Sequence, residues 1–307
     1  MGSVWRAVGR VSGFTLIELL VVVSITALLM AILVPSLSRA RHQAKGLVCQ
    51  THLRELSHGW HMYADENRDV SLPGRYAKEA GGLDNPQNWY DVGNGLKYRP
   101  RWVATMGRYV GVYAFDAPEL MNDRQDYDSG VYACPAVPRW IDERNYAYGY
   151  NHQFLGNARK AGGRFRNFPV NRSQIRNFAA TVLGADCLGT AAGFGKRERA
   201  PYENDGTGMN QSGNHGWTLD PPRLTATSDR GTGDAGSTRT GVDPRHLGRG
   251  NAAYCDGHTE SAPVESFGYR VWPDGTYVDL EEVQDRPHNR RFSGTGRDDD
   301  PPGLPTA

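Results

Sequence analysis

Apolar positions crowd into one unbroken run near the start of the chain, Phe14 to Val34, reading FTLIELLVVVSITALLMAILV with a single charge, Glu18. As a helix this run rises about 32 Å, roughly the thickness of a bilayer's hydrocarbon core, and so predicts one membrane-spanning helix over 14–34. The segment ahead of it, MGSVWRAVGRVSG, holds Arg6 and Arg10 and no acid. The positive-inside rule then keeps the N-terminus cytoplasmic and sends the residues after Val34 outward. Pro35, Ser36 and Leu37 run directly into an amphipathic pattern, so cleavage after the span is not expected.

The pattern next changes to helical spacing. Leu37, Ala40, Ala44 and Leu47 form one stripe, and Cys49, Leu53, Leu56, Trp60 and Tyr63 form a second after a small shift, predicting a helical stem over 35–67. Its opposite face carries Arg39, Arg41, Lys45, Arg54 and Glu55, a solvated face. From 70 to 145 apolar residues are scattered among Gly, Pro and Asn, with a short helix or strand over Met106 to Tyr113 placed above Leu56 and Trp60. Tyr146 to Asn151 and Thr181 to Cys187 read as core strands. Two hairpins are signalled by Asp256-Gly257 and Asp274-Gly275, each between extended segments, as type I′ turns with positive φ at both central positions. The stretch from Gly189 to Arg245 has few apolar residues and no period, and predicts an extended surface excursion between two strands. The end of the chain, 285–307, has an acidic triplet and several prolines and reads as a disordered tail. The extracytoplasmic head is therefore expected over 68–284.

Composition adds little to this picture. The 307 residues carry a formal net charge of +1 with 22% charged residues, which gives no electrostatic reason to expect a nucleic-acid partner. The 37 glycines and 18 prolines suit a loop-rich domain.

Glu18 sits awkwardly in an apolar helix, where a carboxylate costs about 2.5–3.5 kcal/mol at mid-bilayer on insertion scales. The string Gly13-Phe14-Thr15-Leu16-Ile17-Glu18-Leu19-Leu20 resembles the processing site of type IV prepilins and type II secretion pseudopilins. That resemblance implies a pilin-like α+β fold, a long N-terminal transmembrane and stem helix packed on an antiparallel sheet with long loops. It implies 1–13 as a leader cut by prepilin peptidase after Gly13, methylation of the new N-terminal Phe14, and pairing of Glu18 with the freed amine of a neighbouring subunit. A carboxylate and an ammonium, each costly in hydrocarbon, become tolerable together and only in the correct register. Pro35 stands where such proteins bend the helix. The implied partners are prepilin peptidase, other pilin-like subunits, an inner-membrane assembly platform and membrane lipid. A plain signal anchor is the simpler alternative.

Downstream, His246 is followed after nine residues by Asp256-Gly257 in HLGRGNAAYCDGHTESAP, which resembles the H-x9-DG element of prepilin-like proteins abundant in planctomycete-type bacteria. The stretch CQTHLRELSHGWHMYADEN, the YACP at 132–135 and the YGYN at 148–151 resemble further landmarks of that group. Two readings of the element stand side by side: a turn braced by His246, or a metal or polar network joining His246, Asp186 and Asp256.

Four cysteines in a domain facing an oxidising compartment permit disulfides. Cys187 with Cys255 across adjacent strands, and Cys49 with Cys134 from stem to loop, are the expected pairs. No two cysteines have the short spacing of a four-thiolate metal site. No cofactor is expected, although calcium on Asp205, Asp229, Asp234 and Asp243 remains an option without EF-hand spacing. His52, His58 and His61 read as solvated or packing histidines. His246, Asp256, His258 and Asp186 could resemble part of a hydrolytic site, but no nucleophile elbow, HExxH or P-loop is present, so no enzyme is expected. A structural filament subunit is the leading reading. A tethered module binding polymer, DNA or secreted protein through Trp89, Tyr90 and Trp102 is the alternative, and a tethered metal-dependent enzyme the third.

Overall fold

A computed structural model describes residues 14–119, 130–137, 147–161, 164–199, 216–225, 228, 230, 238–278 and 286–302. The leader expected over 1–13, including Gly13, lies outside them. The chain divides into two compact units, residues 1–43 and 44–307.

Helix α1, Leu16–Glu66, contributes to both. It starts with a reciprocal cap: the Thr15 N–H and Oγ1 donate to Glu18 Oε2 (both 2.8 Å), and the Glu18 N–H donates to Thr15 Oγ1 (3.2 Å). Within the apolar run, Ser24 and Thr26 donate back to the carbonyls of Leu20 (2.7 Å) and Val22 (2.9 Å), so their hydroxyls need no water. The side chains of this run are exposed in the isolated chain, and the helix is long and apolar enough to cross a membrane. Pro35 lies inside the helix.

In the second unit, α1 from Gly46 onward buries the predicted stripe of Cys49, Leu53, Leu56, Trp60 and Tyr63. The earlier stripe is not used in this way, since Leu37 and Leu47 are exposed. A small hairpin of β1 (Trp89–Asp91) and β2 (Leu96–Tyr98) precedes α2 (Trp102–Val110), which ends at Gly111 with φ 73°. This helix begins earlier than the expected element. It meets α1 at Gly59, where an added Cβ would come within 2.8 Å of Met106 Cε and 2.9 Å of Val110 Cγ1.

The main sheet follows as β3 (Tyr148–Tyr150), with a short α3 (His152–Leu155), a hairpin of β4 (Gly156–Ala161) and β5 (Arg164–Pro169), then β6 (Val182–Asp186), β7 (Gly250–Tyr254) and β8 (Thr259–Ala262). It is antiparallel in the order β3-β6-β7-β8, giving the expected α+β class. One face, with Tyr148, Tyr150, Leu183, Ala253 and Cys255, packs on α1 and α2. The other, with Val182, Ala185, Cys187, Ala252 and Tyr254, packs on Leu219, Val242, Phe267, Tyr269, Tyr277 and Phe292. A register shift between Val182 and Gly184 breaks strict alternation in β6. Leu183 and Gly184 consequently both line the helix side. Such a bulge resets the parity of the strand, so Asp186 also points toward α1.

Three expectations are overturned. The stretch 189–245 is no surface excursion in its described parts: Trp217 to Asp220 and Thr240 to Val242 are buried. Residues around Thr218 pair in parallel with β3, the Tyr150 N–H donating to Trp217 O (3.0 Å) and the Leu219 N–H to Tyr150 O (2.9 Å). Two of its buried polar residues are held by several hydrogen bonds each. Asp220 accepts from Gln153 Nε2 (3.0 Å) and the Thr240 N–H (2.8 Å), and Arg239 donates to the carbonyls of Pro221, Pro222 and Val278. The end of the chain is not disordered through 286–302. Phe292 is fully buried, and Arg223 pairs with Asp298 (3.2 Å) and with Asp300. The two Asp-Gly turns are hairpins, but not type I′. Only Gly257 (φ 94°) and Gly275 (φ 98°) have positive φ; the Gly257 N–H donates to Tyr254 O and the Gly275 N–H to Trp272 O. Each is a type I turn closed by a glycine bulge, with the aspartate side chain accepting from the backbone N–H two residues on.

Candidate functional site

At the end of β6 that faces α1, four side chains from distant parts of the sequence converge: Cys49, Cys134, Asp186 and His246. Their sulfur, carboxylate and imidazole atoms all lie within 4.8 Å of one another, and all four residues are buried. Cys49 comes from the buried stripe of α1, Cys134 from the YACP loop, Asp186 from the end of β6, and His246 from the loop entering β7. The Cys49 thiol donates to Asp186 Oδ1 (2.9 Å), Cys134 Sγ lies 3.4 Å from His246 Nε2, and that nitrogen lies 3.2 Å from Asp186 Oδ2. Asp186 Oδ2 also accepts from the Asn251 N–H (2.8 Å), while Asn251 Nδ2 donates to Gly46 O (3.2 Å) on α1. Next to the cluster, buried Arg245 pairs with Asp243 (2.9 Å) and donates to Cys187 O.

Electrostatics within the cluster split the two thiols. Hydrogen bonding from Cys49, outweighing burial and assisted by His246, brings Cys134 down to about 5, whereas burial pushes Cys49 up. Burial disfavours the charged form of His246, but its contacts to Asp186 and Cys134 prevail and lift it to about 9.

The cluster corrects the expected disulfides. All four cysteines are free and buried. Cys187 and Cys255 lie on opposite faces of the sheet, which keeps them apart although they end adjacent strands. Cys187 donates to Thr218 O (3.2 Å) instead. Cys49 and Cys134 do meet, but as thiols sharing the cluster.

The expected network of His246, Asp186 and Asp256 is corrected in one member. Asp256 stands apart at the hairpin turn, paired with His258 (2.6 Å). The H-x9-DG pattern is a span along α1: His246 packs by Gly46, and Gly257 lies by Ser57 and His58. The eleven residue steps from Gly46 to Ser57 rise about 16 Å on a helix, close to the length of a five-residue strand such as β7.

The remaining candidates fall elsewhere. Asp205, Asp229 and Asp234 lie outside the described residues, and Asp243 is held by Arg245. His52 contacts Ala133 O (3.0 Å), His58 is exposed, and His61 accepts from Arg172 (3.2 Å). Trp102 is buried and donates to Trp217 O (2.9 Å), so it is unavailable for an aromatic binding surface; Trp89 and Tyr90 are half-buried. Cys49 and Cys134 are the site members missed as ligands in the sequence. The signal available was that both lie in the two resembling stretches, CQTHL and YACP.

Residues 9–34 match the family described as the prokaryotic N-terminal methylation motif. The chain is similar to the type IV wide pilus major component PilA4 of Thermus thermophilus, 44% identical over 59 residues, which are 19% of this chain and 45% of that protein. It thus spans less than half the length of that curated relative. No solved structure matches. The chain carries a prepilin-type N-terminal methylation segment, and its described residues form an α+β fold.

Proposed function

We propose that this protein is a structural subunit of a type IV pilus-like or type II secretion pseudopilus-like assembly. The observation that carries the reading is the methylation motif over residues 9–34, which coincides with the start of an apolar helix whose side chains are exposed. An exposed apolar surface of that size needs lipid or other helices, and a subunit that passes from membrane to filament core uses both in turn. In this reading prepilin peptidase cuts after Gly13, Phe14 becomes the methylated N-terminus, and Glu18 meets the amine of a neighbouring subunit. Before assembly the protein is a single-pass membrane protein, with its N-terminus cytoplasmic and its head periplasmic. An inner-membrane assembly platform takes it from there.

Glu18→Ala tests the assembly step in the native host. The variant is expected to accumulate in the membrane at the wild-type level and to be depleted at least about tenfold from sheared surface or periplasmic filaments, the loss of an ion pair in hydrocarbon being worth more than 1.4 kcal/mol. Wild-type incorporation of the variant would contradict the reading.

A further inference from the structure

We propose that Cys49, Cys134, Asp186 and His246 bind one structural Zn²⁺ that fastens the stem helix to the head, a site independent of whether the protein forms filaments. Two sulfurs, one imidazole nitrogen and one carboxylate oxygen form a closed four-ligand set of the kind zinc takes in structural sites. A tetrahedron around an ion about 2.0–2.3 Å from each ligand has edges of about 3.3–3.8 Å; the 3.2 and 3.4 Å contacts match them, and the 2.9 Å contact from Cys49 to Asp186 opens by about half an ångström to admit the ion. All four residues are buried, which suits a closed structural site more than a catalytic one with a water-filled position.

The geometry argues against a nucleophilic triad. In a nucleophile–histidine–carboxylate relay the carboxylate holds the ring nitrogen opposite the one that serves the nucleophile. Here both Cys134 Sγ and Asp186 Oδ2 approach the same nitrogen, His246 Nε2. A single N–H cannot point along both directions, whereas a cation among the four lone pairs satisfies every one. The outer contact on the carboxylate also fits. The Asn251 N–H fixes Asp186 Oδ2, and Asn251 is tied to α1 through Gly46 O, the support that orients carboxylate ligands in metal sites. Zinc binding displaces the proton on the Cys49 thiol and the one on His246 Nε2, leaving two thiolates, a carboxylate and a neutral imidazole around the ion. Because the ligands come from the stem helix, a loop, the central sheet and the H-x9-DG entry, the ion would act as a staple for a domain whose described cysteines form no disulfide.

The test is elemental analysis of the full chain, extracted from host membranes in detergent and purified without a metal-affinity column. About one zinc per chain is expected, with Cys49 and Cys134 protected from alkylation in the native protein and exposed after chelation. Replacement by Co²⁺ should give thiolate-to-metal charge-transfer absorption and the intense visible bands of a tetrahedral centre. Zinc should fall at least about tenfold in Cys134→Ala and His246→Ala, remain in Cys187→Ser and Cys255→Ser, and remain in His246→Cys, which restores a ligand without restoring the histidine. The last three variants separate loss of the site from loss of the fold. A metal-free protein with both thiols free would make the cluster a hydrogen-bonded network and overturn the proposal. A Cys49–Cys134 disulfide in unreduced peptides would overturn it equally.

Discussion

Glu18 has one use in the single chain and a second under the proposed assembly. In the single chain it closes the cap with Thr15, so part of its cost in the apolar run is already met by local hydrogen bonds. Capping and assembly separate by substitution. Thr15→Ala removes the hydroxyl of the cap, a change worth roughly 0.5–2 kcal/mol of helix stability, but keeps the carboxylate. Thr15→Ala should therefore enter filaments close to wild type while Glu18→Ala does not; equal defects would mean that Glu18 only caps. Gly149 is a second residue whose side chain is dictated by its neighbours. A Cβ there would meet Thr218 O at 2.8 Å and Cys187 Sγ at 3.0 Å, because the 216–220 segment crosses that point. Gly149→Ala is expected to destabilise the head by about 1–3 kcal/mol, read as a lower denaturant midpoint for the full chain. An unchanged midpoint would show that the segment yields.

At the scale of elements, what was legible in the sequence was what is decided locally. The apolar run, the Cys49-to-Tyr63 stripe and the Asp-Gly hairpins depend on period and on glycine, and each appears where expected. Even there the turn type was missed, because Asp256 and Asp274 stabilise their turns with the side chain and only the following glycine takes positive φ. The 189–245 stretch and the end of the chain depart from expectation for one shared reason: their buried polar groups are paired, Asp220 with the Thr240 N–H, Arg239 with the Pro221 carbonyl and Asn289 with the Arg223 N–H, and composition cannot distinguish paired from solvated. The cluster was half legible. Asp186 and His246 were singled out, but the bulge that turns Asp186 toward α1 and the chain separation that brings Cys49 and Cys134 there leave no local trace.

The docked end of the chain carries its own pH dependence. Partial burial works against the charge on Asp298, but the Asn289 N–H and the Arg223 guanidinium prevail and hold it below the ordinary 3.8. A depressed folded value stabilises fully above 3.8, and that contribution is lost as the pH falls below 3.8 through the folded value. Residues 286–302 should accordingly loosen in acid below about pH 3.8, seen as faster hydrogen exchange at Asn289 and Phe292, and Asp298→Asn should reproduce part of the effect at neutral pH. Protection that stays constant down to about pH 3 would remove Asp298 from the docking.

Across the whole molecule, one unit is an exposed apolar helix and the other an α+β body that buries its own core. In the proposed function the two have different work: the helix supplies membrane residence and subunit contact, and the body supplies the surface a filament would display. Under the proposed function assembly depends first on processing, because an uncut leader would keep Phe14 internal and leave Glu18 with no terminal amine to meet. The most direct measurement is mass spectrometry of the N-terminal peptide of the protein taken from host membranes and surface fractions. A mature chain beginning at N-methylated Phe14 is expected, with Gly13→Ala accumulating uncut; a mature chain beginning at Met1, or at any residue other than Phe14, would rule out the proposed processing and with it the assembly contact of Glu18.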